Sequence, residues 1–293
     1  MLAAAVAALA ASAWTAPRAQ SFDPTDEAQT DYVDGNLIFL TYHEVGHMIL
    51  DQLLEVDQHA DRLAAEETAD DVATWLMLPD SDEPGQDADI LAAIEGWSRS
   101  AEMQQGVAKS PHYPDDGVRA ARIACYLYGA RPDKYAELAK LFRVSIKSVD
   151  CKAEVEAMKA DFEDWFGEHL IPPAEPNETA IEITYEDGGD ALADAESFLK
   201  ESGILEAAAE DISEFVRLPN DVSIVARRCG AGAAEFRYSP SARRITACYE
   251  AVDWLMRDAN DEEQEKAKER AEEGDELGSG GARVPRRPRP PRS

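Results

Sequence analysis

The sequence predicts an α+β fold, mainly helical, with a small antiparallel β element toward its C-terminal end. Three observations lead to it. Between Phe22 and Pro173, apolar residues recur at helical spacing through six segments separated by prolines. After the run Ile171-Pro-Pro-Ala-Glu-Pro-Asn-Glu-Thr179 the pattern changes to strand-like alternation. Of the 293 residues 44% are hydrophobic, enough to bury a sizeable core.

The first segment is an apolar run, Met1-Leu-Ala-Ala-Ala-Val-Ala-Ala-Leu-Ala-Ala-Ser-Ala-Trp14, too short to span a bilayer and followed by small residues. It reads as an export signal over residues 1–21, cut after Ala13 or Ser21, although no basic residue precedes the run. Helices are expected near 33–56, 60–78, 87–107, 116–129, 132–143 and 150–169, with Pro79, Pro84, Pro111, Pro114 and Pro132 as breaks. Together they make a helical domain at 22–175. A second segment, 176–257, begins with the alternating Ile181-Glu-Ile-Thr-Tyr185 and continues through an acidic helical stretch at 190–217. Three strands are expected at 222–226, 234–238 and 244–249, joined by Gly-rich and Ser-Pro turns, before a helix at 250–257. The tail, 258–293, passes from a charged run to Arg283-Val-Pro-Arg-Arg-Pro-Arg-Pro-Pro-Arg292, with too few apolar residues to pack, and is expected to be disordered.

Charge narrows the partners. With 59 acidic against 29 basic residues, the formal charge of −30 argues against binding nucleic acid or an anionic membrane. No transmembrane segment is expected in the mature chain. The spacings of Cys125, Cys151, Cys229 and Cys248 suit no familiar zinc cluster, and an even count in an exported protein suggests two disulfides. Sequence alone leaves three pairings open, among them the local one of Cys125 with Cys151 and Cys229 with Cys248.

The chemistry concentrates in Tyr42-His43-Glu44-Val45-Gly46-His47, an H-E-x-x-H motif in a chain with only five histidines. Residues four apart share a helix face, so both imidazoles can address one metal while Glu44 sits beside them to handle a proton. The bland alternative is an amphipathic helix whose histidines lie on its polar face. A catalytic zinc needs a third protein ligand, which the next helix can supply. Glu66 and Glu67 are each followed four residues later by an aspartate, Asp70 or Asp71. One glutamate would bind the metal while its aspartate orients a ligand histidine. Helical spacing leaves the choice between Glu66 and Glu67 open.

H-E-x-x-H followed by E-x-x-x-D resembles the glutamate-zincins, the thermolysin-like metallopeptidases. More closely, the chain resembles a bacterial family of exported metallopeptidase-like proteins, a domain of unknown function with H-E-[LV]-G-H and E-x-A-A-D motifs. The matching blocks are His43 to His47, Glu66 to Ala73, and Pro111-His112-Tyr113 through Cys125-Tyr-Leu-Tyr-Gly129, within about residues 35–170. The resemblance implies a zincin-like fold and one zinc per chain, held by His43, His47 and Glu66. It favours Glu66 with Asp70 over the Glu67 register, and gives His112 or Tyr113 a role in stabilising the oxyanion of a tetrahedral intermediate. The implied activity is hydrolysis of a peptide or protein substrate, with Glu44 as general base. Two other readings are a non-catalytic exported binding protein that keeps a structural metal site, and a zinc hydrolase of a non-protein amide. One departure stands out. A strand block resembling Leu218 to Glu250 normally precedes the H-E-x-x-H helix in that family and here follows it, so either the chain holds the back half of one unit and the front half of a second, or the late strands fold back to complete the first unit's sheet and supply the site's strand edge.

Overall fold

A computed structural model of the chain describes residues 22–279 apart from 57, 59, 80–84, 86, 143–148, 168, 172–176, 178 and 231–234. The expected export signal lies outside the described residues, as does the Arg/Pro-rich end.

Six helices come first: α1 (Glu27–Gln52), α2 (Arg62–Met77), α3 (Ala88–Met103), α4 (Asp116–Ala130), α5 (Pro132–Leu141) and α6 (Cys151–Phe166). Aspartates start most of them. Asp26, Asp61, Asp115 and Asp150 accept hydrogen bonds from the first-turn amides of α1, α2, α4 and α6, groups that have no partner within the helix. The second segment follows as β1 (Ile181–Tyr185), α7 (Ala193–Ser202), α8 (Ile204–Phe215), β2 (Val222–Arg227), β3 (Arg237–Ser239), β4 (Arg244–Cys248) and α9 (Tyr249–Ser279). Gly203, in the left-handed region at φ +68°, separates α7 from α8.

Helix α1 is the axis of the molecule. It contacts α2, α3, α8, α9, β3 and β4, and its buried residues run all round it, from Gln29 to Gln52. Two glycines of α1 permit close crossings. A Cβ on Gly35 would lie 2.4 Å from the Asp89 carbonyl of α3, and one on Gly46 would lie 2.7 Å from Cα of Ala69 in α2. The hydrophobic core is continuous and takes residues from both sides of the 171–179 run, from Tyr32 through Phe166 to Tyr249 and Ala259.

The sheet corrects one expectation. Its order is β1-β2-β4-β3; β1, β2 and β4 run parallel, and only β3 is antiparallel to its neighbour. Helices α7 and α8 carry the chain back between β1 and β2, the kind of connection a parallel pair needs. The tail is a second correction, because α9 continues as helix to Ser279, through residues read as too polar to pack. Asp258, Asn260 and Glu262 are buried, and Asp258 accepts from the Tyr32 hydroxyl while pairing with Arg99 at 3.1 Å. Polar partners on α1 and α3 substitute here for apolar packing. The disulfides take the local pairing, Cys125 with Cys151 and Cys229 with Cys248. No helix among the described residues is long and apolar enough to cross a membrane.

The strand block folds back onto the first helix. Tyr238 of β3 donates its N–H to the Glu44 carboxylate and its hydroxyl to Asp51 at 2.8 Å. Nearby, the Asn220 N–H reaches Gln52 Oε1 at 3.2 Å, and the Tyr42 hydroxyl donates to Asp211. A strand edge therefore lies beside the H-E-x-x-H helix and comes from the same chain.

Candidate metal centre

His43 and His47 lie one turn apart on α1 with their Nε2 atoms 3.2 Å from each other. Glu66 enters from α2, its Oε2 at 3.3 Å from His43 Nε2 and 3.7 Å from His47 Nε2. The close α1–α2 crossing at Gly46 and Ala69 makes this approach possible. Glu67 points elsewhere. It is half-exposed and at most loosely paired with Arg122 at 4.0 Å, while Asp71 binds Arg122 at 2.6 Å and the Tyr126 hydroxyl at 2.9 Å. The two E-x-x-x-D registers thus split, one facing His43 and His47 and one facing α4.

The far nitrogens of the imidazoles are fixed. His43 Nδ1 donates to Asp70 Oδ1 at 2.8 Å, and His47 Nδ1 donates to Gln58 Oε1 at 2.8 Å. Gln58 closes the loop by donating from Nε2 to the His47 carbonyl at 2.7 Å. With both Nδ1 atoms committed to their partners, the two Nε2 atoms and Glu66 Oε2 converge on one point, where a proton or a shared cation offsets the carboxylate's charge. The spacing suits zinc. A tetrahedral ion with bonds of about 2.0–2.1 Å sets its ligands about 3.3 Å apart, close to the three separations found.

Charge at the centre points the same way. Burial by itself depresses the His43 pKa, but hydrogen bonds to Asp70 and Glu66, with the charges of Asp70 and Glu44, outweigh it and push the value up to about 9. Burial raises the Glu66 carboxyl, and hydrogen bonding and charge from the two histidines overcome this and hold it well below the usual range. Glu44 is 6% exposed, and burial raises its pKa against the pull of His43, His47 and the Tyr238 N–H. Surroundings that concentrate protons on imidazoles in this way also attract a divalent cation.

Arg119 of α4 completes the surround. It is buried, with Nε 2.9 Å from Asp70 Oδ2, a charge pairing without in-line hydrogen-bond geometry. Its NH2 group lies 3.6 Å from Glu66 Oε2, and its guanidinium stacks 4.3 Å over the Trp97 ring. Arg119 therefore offsets the negative charge of Glu66 and Asp70 together and restrains both.

These groups open into a cavity of about 1160 Å³, lined on α1 by a stripe that runs from Phe39 through His43, Glu44 and His47 to Asp51. His112 does not line it. That residue is exposed on the loop before α4, its N–H bonded to Ser110 Oγ at 3.2 Å, whereas its neighbour Tyr113 does line the cavity beneath the Arg62 guanidinium, 4.4 Å from the ring centroid. Sequence reasoning missed Gln58, Arg119 and the Tyr238 amide. Arg119 gave the one available signal, a cation in the otherwise acidic chain within the third matching block. Gln58 sits in a loop where spacing carries no information, and a backbone amide has no signature at all.

Comparison with known proteins agrees with this geometry at the level of family. No curated protein and no solved structure matches the chain. A family model does, over residues 10–165 and 185–278, covering both the helical segment and the strand segment with α9. The chain belongs to that family, whose description reads "Putative metallopeptidase".

Proposed function

We propose that the protein is a zinc-dependent peptidase in which His43, His47 and Glu66 hold the ion and Glu44 is the general base. The observation that carries this reading is convergence: three ligand atoms within 4.8 Å of one another and the buried Glu44 carboxylate share one cavity wall. When bound, zinc supplies Lewis acidity that activates a water and polarises the scissile carbonyl. Glu44 accepts the water's proton at its carboxylate and delivers it to the leaving amine. The Tyr238 N–H holds that carboxylate in one orientation, so the base reaches its water without a rotamer search. Asp70 and Gln58 keep each imidazole's Nε2 lone pair directed inward. Tyr113, which lines the cavity where His112 does not, takes over the oxyanion role expected of that segment. The Tyr238 strand supports catalysis over a purely structural metal site, because it holds an acid–base group that a structural site does not need. Two disulfides support export to an oxidising compartment.

The test combines metal analysis with turnover. Full-length protein offered zinc should hold about one ion per chain, and a His43→Ala, His47→Ala double variant should hold none. Glu44→Gln should keep the zinc and lose peptide hydrolysis by at least about a hundredfold, the scale of a removed general base. Undiminished hydrolysis by Glu44→Gln would overturn the assignment, and zinc with no hydrolysis of a peptide library by the unsubstituted chain would leave a structural site.

A further inference from the structure

The cavity walls differ in character along α1. Phe39 and Leu40 line it on the N-terminal side of the histidines, with Asn36 donating its amide to the Tyr32 and Ala92 carbonyls, whereas Asp51, and Glu55 just past the helix end, line it beyond them. At a rise of 1.5 Å per residue, Leu40 is only about 5 Å along the axis from His43, so the apolar end adjoins the reacting centre. Trp97 of α3 closes one side, meeting Phe39 edge to face at 5.9 Å. Trp254 and Leu255 of α9 close another.

Trp254 differs from the other tryptophans described. Trp75 packs on Phe162 and Phe166, Trp165 meets Phe162, and Trp97 lies between Phe39 and the Arg119 guanidinium. Trp254 is 38% exposed, faces the cavity, and has no ring, cation or hydrogen-bond partner among the described residues. It is also held in place. One turn later on the same helix face, Asp258 is fixed by Tyr32 and Arg99, so the indole stands at the cavity wall on a pinned helix. An indole with open faces and a free N–H, lining the same cavity as Phe39 and Leu40, is a contact surface awaiting an occupant. Three arginines line the cavity and each already faces a carboxylate: Arg119 is matched by Glu66 and Asp70, Arg62 pairs with Glu66 at 3.5 Å above the Tyr113 ring, and Arg237 pairs with Glu235.

We propose that Trp254 and Leu255, with Phe39, Leu40 and Trp97, form a subsite for a large apolar side chain, aromatic best, next to the scissile bond of a peptide substrate. The nature of the occupant rests on the peptidase reading. Trp254 is the specificity-determining residue, and acidic side chains are disfavoured because the five subsite residues are uncharged, the cavity's arginines already face carboxylates and the chain is strongly anionic.

The experiment uses the full chain carrying Glu44→Gln, supplied with zinc, and capped hexapeptides of alanine with one central residue X set to Phe, Leu, Ala or Asp. Dissociation constants are read by calorimetry and by tryptophan fluorescence. The Phe peptide should bind at least about tenfold tighter than the Ala peptide, in line with burial of an aromatic side chain in an apolar pocket, with Asp weakest. Trp254→Ala should bring the Phe-to-Ala ratio toward one, and Trp254→Phe should restore most of it. Equal affinities across the four peptides, or a ratio that survives Trp254→Ala, would overturn the subsite. Should Trp254→Ala not fold, the ratio in the chain with Trp254 intact and its recovery in Trp254→Phe still decide the matter. Cleavage by the chain with Glu44 intact is scored separately. Trp254-dependent binding without cleavage removes the peptidase reading and keeps the subsite, whereas cleavage of all four peptides at one rate keeps the peptidase and removes the subsite.

Discussion

Gly46, the residue before the second motif histidine, has a structural reason to be glycine. Any side chain there would meet Ala69 of α2, and a Cβ would sit 2.7 Å from Cα of Ala69 and 3.0 Å from its carbonyl oxygen. Backbone at that distance cannot yield as a flexible side chain can, so α2 itself would have to move and carry Glu66 away from the two imidazoles. Gly46→Ala should therefore destabilise the fold by about 1–3 kcal/mol, the usual cost of overpacking, and weaken zinc binding more than it weakens stability. Urea unfolding beside a chelator-competition titration measures both, and zinc affinity equal to that of the parent would show that α2 does not set the ligand geometry. A second residue, Asp34 on α1, couples the fold to pH. Burial raises its pKa to about 6, with help from the charges of Asp89 and Asp31, and Oδ1 is buried without a partner. An acid whose pKa is higher folded than unfolded opposes folding once ionised in both states. Its penalty is complete above about 6 and disappears as pH falls toward 3.8, where folded and unfolded chains both hold the proton. Asp34→Asn should raise the urea midpoint near neutral pH and lose that advantage by about pH 4. A gain that persists undiminished into acid would rule out ionisation of Asp34 as its origin.

At the scale of elements, the strand β3 and the helix α1 make a pair that neither forms alone. Tyr238 is opposite Ile245 of β4, yet its N–H turns to Glu44 and so takes no part in the ladder. Proline is tolerated at such a position, because the hydrogen it removes lies on the outer side of an edge strand. Tyr238→Pro should leave the sheet and the zinc content intact and lower turnover roughly ten- to a hundredfold, the cost of a misplaced catalytic group. Tyr238→Phe is the control, since it loses only the hydroxyl bond to Asp51. Equal turnover in the two variants would mean that the amide does not orient Glu44. Element boundaries were largely legible from proline breaks and apolar spacing, from the six early helices to the strands at Ile181 and Val222. Strand direction was not, because alternation fixes the face a residue takes and carries nothing about its neighbour's sense. The length of α9 was hidden for another reason. Its buried carboxylates read as solvated when the partners, Tyr32 and Arg99, lie more than 150 positions away in the chain.

For the whole molecule, two disulfides tie the segments internally without bridging the 171–179 run. Cys125–Cys151 joins α4 to α6, and Cys229–Cys248 closes the turn region between β2 and the start of α9. The loops they close have sequence separations of 26 and 19, and each bond should contribute about 3 kcal/mol in the chain-entropy account. Reductant should lower the urea midpoint in the wild type and leave a four-serine variant unmoved. An unchanged wild-type midpoint would mean that the bonds add nothing to the folded state.

The sequence by itself determined the local pattern of this protein: which segments are helical, which helix carries both imidazoles on one face, and that the next helix offers Glu66 and Glu67 as candidate carboxylates. These depend on spacing along a single element, where geometry repeats every 3.6 residues. Only the tertiary structure decided that Glu66 turns to the two motif histidines while Glu67 and Asp71 turn to Arg122, because the choice is set by how α2 packs on α1 at Gly46. The same holds for Gln58, Arg119, the Tyr238 amide and Trp254, whose places at the cavity come from contacts between elements that no pattern within one element encodes.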